Sequence, residues 1–100
     1  MKIPKKLKIG GFTWNVKLES STTSEQGLFG ATHFPSQTIY IQPDITPQKQ
    51  EHTLIHEVLH AIFWQNGLPR IMADDKQEEM IINSVSFGIH AFLKDNGLLK

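Results

Sequence analysis

Between Thr46 and Gly67 the sequence reads as one helix, and that helix is apolar on almost every side. Thr46 is a helix-capping residue and Pro47 suits the first helical position. Gly67, with Pro69 beyond it, stops the helix after about Asn66. Leu54, Ile55, Val58, Leu59, Ala61, Ile62, Phe63 and Trp64 cover nearly the whole circumference, the pattern of a buried helix. The same segment carries His52, His56, Glu57 and His60. Unpaired polar groups are costly in a core, so any fold must give these side chains partners or a ligand.

The residues before this helix have a different period. Phe12, Trp14, Val16 and Leu18 alternate with polar residues, as in a half-buried strand. Leu7–Ile9 reads as a short strand turned into it by Gly10-Gly11. Ser20–Gln26 is polar and turn-like. Leu28–Phe34 and Thr38–Ile41 flank Pro35-Ser36 and read as a hairpin. After the first helix, Asp74 or Asp75 caps a second, and Asp75 with Glu78 has capping-box spacing. It runs to about Asp95 and ends at Asn96-Gly97. The expected fold class is α+β: a small antiparallel N-terminal β-sheet followed by two packed helices, in one domain spanning residues 1–100. Trp14 and Trp64 are expected in the core.

Charge and composition narrow the possible partners. Ten basic residues balance ten acidic ones, which argues against a nucleic-acid binder or a membrane-surface binder. The cluster of Lys2, Lys5, Lys6 and Lys8 reads as a solvated edge. No apolar run reaches the length of a membrane span, and no signal-peptide core follows the basic start. The chain has no cysteine, so it has neither a disulfide framework nor a thiolate metal site. A cytoplasmic location is the expectation.

His56-Glu57-Val58-Leu59-His60 is an HExxH motif. Residues four apart share a helix face one turn apart, so two imidazoles can bind one metal ion. Zn²⁺ accepts such nitrogen ligands in a tetrahedral site with one position left for water. Glu57 lies ~100° around the helix from His56 and ~60° from His60, placed for a general base rather than a ligand. His52 continues this face but lies ~12 Å in rise from His60, too far to share one ion with it.

A third ligand must come from elsewhere, with Glu78, Glu79, His90 and His33 as candidates. The second helix has an apolar stripe of Ile81, Ile82, Val85, Ile89 and Phe92, beside a polar stripe of Glu79, Asn83, Ser86 and His90. The polar stripe is either a solvent face or the wall of a metal cavity. In the cavity case Glu79 binds the metal and Asn83 orients a histidine from behind. Burial alone slightly favours Glu78, and periodicity leaves the choice open. His90 lies ~16 Å along the helix from Glu79.

These residues carry a resemblance. His56-Glu57-x-x-His60 followed by Glu79-x-x-Ile82-Asn83-x-Val85-Ser86 resembles the gluzincin zinc metallopeptidases, and most of all the short ImmA/IrrE-like proteins of bacteria and their phages. The likeness covers roughly residues 50–92, with Ile82 standing where the family has a small Ala. It implies a metallopeptidase in which His56, His60 and Glu79 hold Zn²⁺, Glu57 is the general base and Asn83 supports a ligand. It also implies a protein or peptide substrate added as a strand along the Leu28–Ile41 hairpin edge, where Gly27 and Gly30 permit close approach. Tyr40 and His33 are candidates to steady the transition-state charge. Two alternatives remain. One is a zincin-fold binding module acting on a host or repressor protein. The other is a structural zinc site, disfavoured because such sites are closed by four ligands and are often Cys-rich.

Overall fold

The computed structural model describes residues 1–19 and 29–99. The turn expected over Ser20–Gln26, and Leu28 at the start of the hairpin, lie outside the described residues. Alternation of apolar and polar residues produces strand β2 (Phe12–Leu18), which pairs antiparallel with β1 (Lys6–Ile9), Leu7 lying opposite Trp14. The second hairpin joins β3 (Gly30–His33) to β4 (Thr38–Ile41), with Thr32 opposite Ile39.

The sheet is mixed rather than purely antiparallel. Its order is β1-β2-β4-β3, and β2 runs parallel to β4 with Val16 opposite Ile39. Burial explains the order. Ile39 and Ile41 are fully buried, so β4 occupies the interior, while the small and polar residues of β3 suit an edge. β1 forms the other edge and exposes Lys6 and Lys8.

Helix α1 (Pro47–Gln65) lies across the face of the sheet that presents Trp14, Val16, Ile39 and Ile41, and it contributes Leu54 and Ala61 to that core. Thr46 Oγ1 accepts a hydrogen bond from the Lys49 amide, as its capping role requires. The Trp14 indole N–H donates to Gln65 Oε1 at 2.8 Å, and Gln65 Nε2 donates to the Ile9 carbonyl, so the buried ring has a polar partner. A short 3₁₀ turn (Leu68–Ile71) leads to helix α2 (Asp75–Asp95). Asp74, rather than Asp75, caps α2 by accepting from the Gln77 amide. The helix closes in a Schellman motif. Gly97 is left-handed, the Leu98 amide donates to the Leu93 carbonyl, and the Gly97 amide donates to the Lys94 carbonyl.

α2 packs on α1, giving three layers: sheet, α1, α2. Two expectations fail here. Trp64 is 49% exposed, because it turns toward the cavity beside α1, where it stacks on Phe34, while its neighbour Gln65 turns to the sheet. Of the apolar stripe only Ile82 is buried; Ile81, Val85, Ile89 and Phe92 are exposed, and α2 turns Ser86 and His90 of the polar stripe inward beside Ile82. The inward groups meet polar partners on α1: Ser86 reaches His52, and His90 reaches Glu51.

Candidate metal centre

His56 and His60 stand one turn apart on α1 with their Nε2 atoms 3.2 Å apart. Glu79, in the first turns of α2, closes the group. Its Oε1 lies 2.6 Å from His60 Nε2 and its Oε2 lies 3.4 Å from His56 Nε2. Among the described residues this is the one group of His and carboxylate donors whose atoms converge, all within 4.8 Å of one another. Donor atoms around a tetrahedral ion with bonds near 2.05 Å stand ~3.3 Å apart, so two imidazoles and a carboxylate at these separations can hold one metal ion. The Glu79 side chain is half exposed, leaving one side of the group open.

Glu78 and Glu79 take opposite sides of one ring. Glu78 Oε2 lies 2.7 Å from His60 Nδ1. With Nδ1–H donating to that carboxylate, the lone pair of Nε2 points at the group. The helix turn of ~100° between successive residues separates the two roles. From the sequence, Asn83 was expected to hold a histidine from behind. The residue that does so is Glu78, while Asn83 lines the cavity one turn beyond Glu79.

Glu57 points from α1 toward β3 and is buried. The Thr32 hydroxyl donates to Glu57 Oε1 at 2.7 Å and lies 3.2 Å from the Glu57 carbonyl oxygen. Burial pushes the Glu57 carboxyl above its ordinary value of 4.5, against the opposing pull of the Thr32 hydrogen bond and the two nearby histidines. A carboxylate made more basic by burial, beside two imidazoles, suits proton transfer. The close approach of β3 to α1 depends on Gly30, where a Cβ would meet Thr53 Cγ2 at 2.5 Å and Glu57 Cγ at 3.0 Å.

The remaining histidines are engaged elsewhere. His52 lines the cavity, stands 3.3 Å from Ser86 Oγ and packs against Phe87. Burial, followed by the nearby His90 and His56, lowers its pKa below 6.5. His33 Nδ1 pairs with Ser36 Oγ, and His90 with Glu51, so neither joins the group. Gly30 and Thr32 face α1, so strand alternation turns His33, together with Ala31 and its partner Tyr40, to the opposite face of the sheet. The transition-state donors expected at Tyr40 and His33 therefore lie away from the group.

Thr32 went unnoticed in the sequence. Alternation shows that it shares a strand face with Gly30, but only the packing of β3 on α1 shows which face meets Glu57. The group opens into a cavity of ≈ 810 Å³ between β3, α1 and α2. Comparison with known protein families, curated proteins and solved structures returns no match to this chain.

Proposed function

We propose that this chain is a zinc-dependent peptidase. The observation that carries the proposal is the convergence of His56, His60 and Glu79 on one open point, with the buried carboxyl of Glu57 one helix position from His56. The donor set of two imidazoles and a carboxylate suits Zn²⁺, which when bound supplies Lewis acidity and lowers the pKa of coordinated water. His60 is fixed in tautomer and orientation by Glu78. Glu57, aligned by Thr32, takes a proton from the attacking water and returns it to the departing amine nitrogen.

The substrate backbone is held by β3. This strand lies at the sheet edge, and the Gln42 amide donates to the Phe29 carbonyl. In the antiparallel ladder that hydrogen bond turns residues 29, 31 and 33 toward β4, so the peptide groups of Gly30 and Thr32 point outward. An extended peptide can pair with them, and its backbone then passes the open side of the metal group. No helix among the described residues is long and apolar enough to cross a membrane. The absence of cysteine agrees with a cytoplasmic site of action.

The test compares the zinc-loaded wild type with Glu57→Gln on a panel of unfolded proteins. The wild type is expected to cleave, and the variant is expected to retain zinc while losing on the order of 10²–10⁴ in rate. Equal cleavage by both refutes the role of Glu57. Zinc binding by a wild type that cleaves nothing in the panel points instead to a binding module.

A further inference from the structure

The outward edge of β3 ends in an aromatic wall at each tip. At one end Phe29 lies beneath Lys49, whose Nζ is 4.3 Å from the ring centroid, and Phe87 of α2 packs on His52 with centroids 4.3 Å apart. At the other end Phe34 stacks on Trp64 at 4.9 Å and 15°. All of these rings line the cavity of the metal group, yet Phe29, Trp64 and Phe87 remain 47%, 49% and 65% exposed. Apolar faces left open in a concave site beside converging polar groups are the marks of a ligand-binding surface.

Spacing and direction make the surface specific. His52 precedes His56 by one turn and Trp64 follows His60 by one turn, so each wall lies ~9 Å of helix rise from the middle of the motif. An extended peptide advances ~3.3 Å per residue and covers that distance in two to three residues. β3 runs in the same direction as α1: Gly30 lies against Thr53, Thr32 against Glu57 and Phe34 against Trp64. A peptide paired antiparallel to β3, the more stable ladder, therefore runs from Trp64 toward Phe87.

We infer that the substrate is an extended peptide with a bulky apolar side chain two to three residues to each side of the scissile bond. The N-terminal side chain rests on Phe34 and Trp64, and the C-terminal one on Phe29 and Phe87. This inference rests on the peptidase proposal and names its substrate class.

The probes are three blocked octapeptides with a central phosphinic group, which anchors on zinc and is not cleaved. One is otherwise polar, one carries Phe in its N-terminal half and one carries Phe in its C-terminal half. Titration into the zinc-loaded protein should show each Phe peptide binding about ten-fold tighter than the polar one, the gain from burying one large apolar side chain. Trp64→Ala should abolish the gain of the N-terminal Phe alone, and Phe87→Ala that of the C-terminal Phe alone. Equal affinity of the three peptides for the wild type, or the reverse assignment of the two variants, overturns the inference. The matching amide peptides separate it from the proposal beneath it. Cleavage without preference sinks the walls alone, whereas selective binding of the phosphinic peptides without cleavage of the amides sinks the peptidase proposal and leaves the walls as a peptide-binding surface rather than a substrate site.

Discussion

A single methyl group added at Gly30 tests how the edge strand is held against the motif helix. The Cβ of Gly30→Ala would lie 2.5 Å from Thr53 Cγ2, 3.0 Å from Glu57 Cγ and 3.0 Å from the Tyr40 carbonyl oxygen. Relaxed contacts between carbon atoms are ~3.5–4.0 Å, so the closest pair must separate by roughly 1 Å. The obstruction is steric, since Gly30 is not among the glycines with positive φ. Relief cannot come from Tyr40, whose backbone is fixed by the β3–β4 ladder, so the strand must move away from α1. Overpacking of this kind costs about 1–3 kcal/mol. In a domain of this size each kcal/mol lowers the melting temperature by about 4–8 °C, so 2 kcal/mol implies a fall of roughly 8–16 °C. Thr53→Ser removes the methyl in the closest contact, and the double variant should recover part of the loss, with a coupling of about 0.5–3 kcal/mol. Urea and thermal unfolding of the metal-free protein, followed by circular dichroism, measure all four corners of the cycle. Gly30→Ala within about 0.5 kcal/mol of wild type, or a double variant whose losses simply add, would refute the contact.

Two further predictions concern the site. Because burial raises the Glu57 carboxyl above 4.5, the folded state binds more protons there than the unfolded state only between 4.5 and the folded value, and stability is lost as pH rises through that window. Metal-free Glu57→Gln, which keeps an acceptor for Thr32, should therefore melt higher than wild type at neutral pH. The advantage should shrink as pH falls toward 4.5, and thermal melts across pH would show the opposite sign if the carboxylate were stabilised where it sits. Glu78→Ala removes the acceptor behind His60 and should weaken zinc binding about 10–100-fold while leaving one ion per chain, as measured by competition with a chromophoric chelator. Unchanged affinity would mean that Glu78 does not position the ring.

Much of this architecture is written locally. The four-residue spacing of His56 and His60, the cap at Thr46 and the stop at Gly97 act within a few residues of one helix, so their outcome follows from spacing alone, whereas the cap of α2 falls on Asp74 although the capping-box spacing belongs to Asp75. What needs tertiary contacts was less legible. Glu78 and Glu79 are neighbours on one helix, and only the way α2 lies on α1 assigns one to Nε2 and the other to Nδ1 of the same ring. The insertion of β4 between β2 and β3 depends on competition among strands for the buried centre. Ile39 and Ile41 win that place over Gly30 and Thr32. The apolar stripe of α2 looked like a core face because periodicity cannot tell which layer a helix will meet. Here α1 stands between α2 and the sheet, and Ser86 and His90 turn inward to polar partners on α1.

X-ray absorption at the zinc edge of the loaded protein bears most directly on the proposed metal centre. The expected spectrum is that of one four-coordinate ion with two imidazoles and two oxygen donors, one of them an exchangeable water, with loss of one oxygen donor's contribution on Glu79→Ala. An ion that keeps the wild-type spectrum when His56 and His60 are replaced, or one closed by four protein ligands, would contradict it.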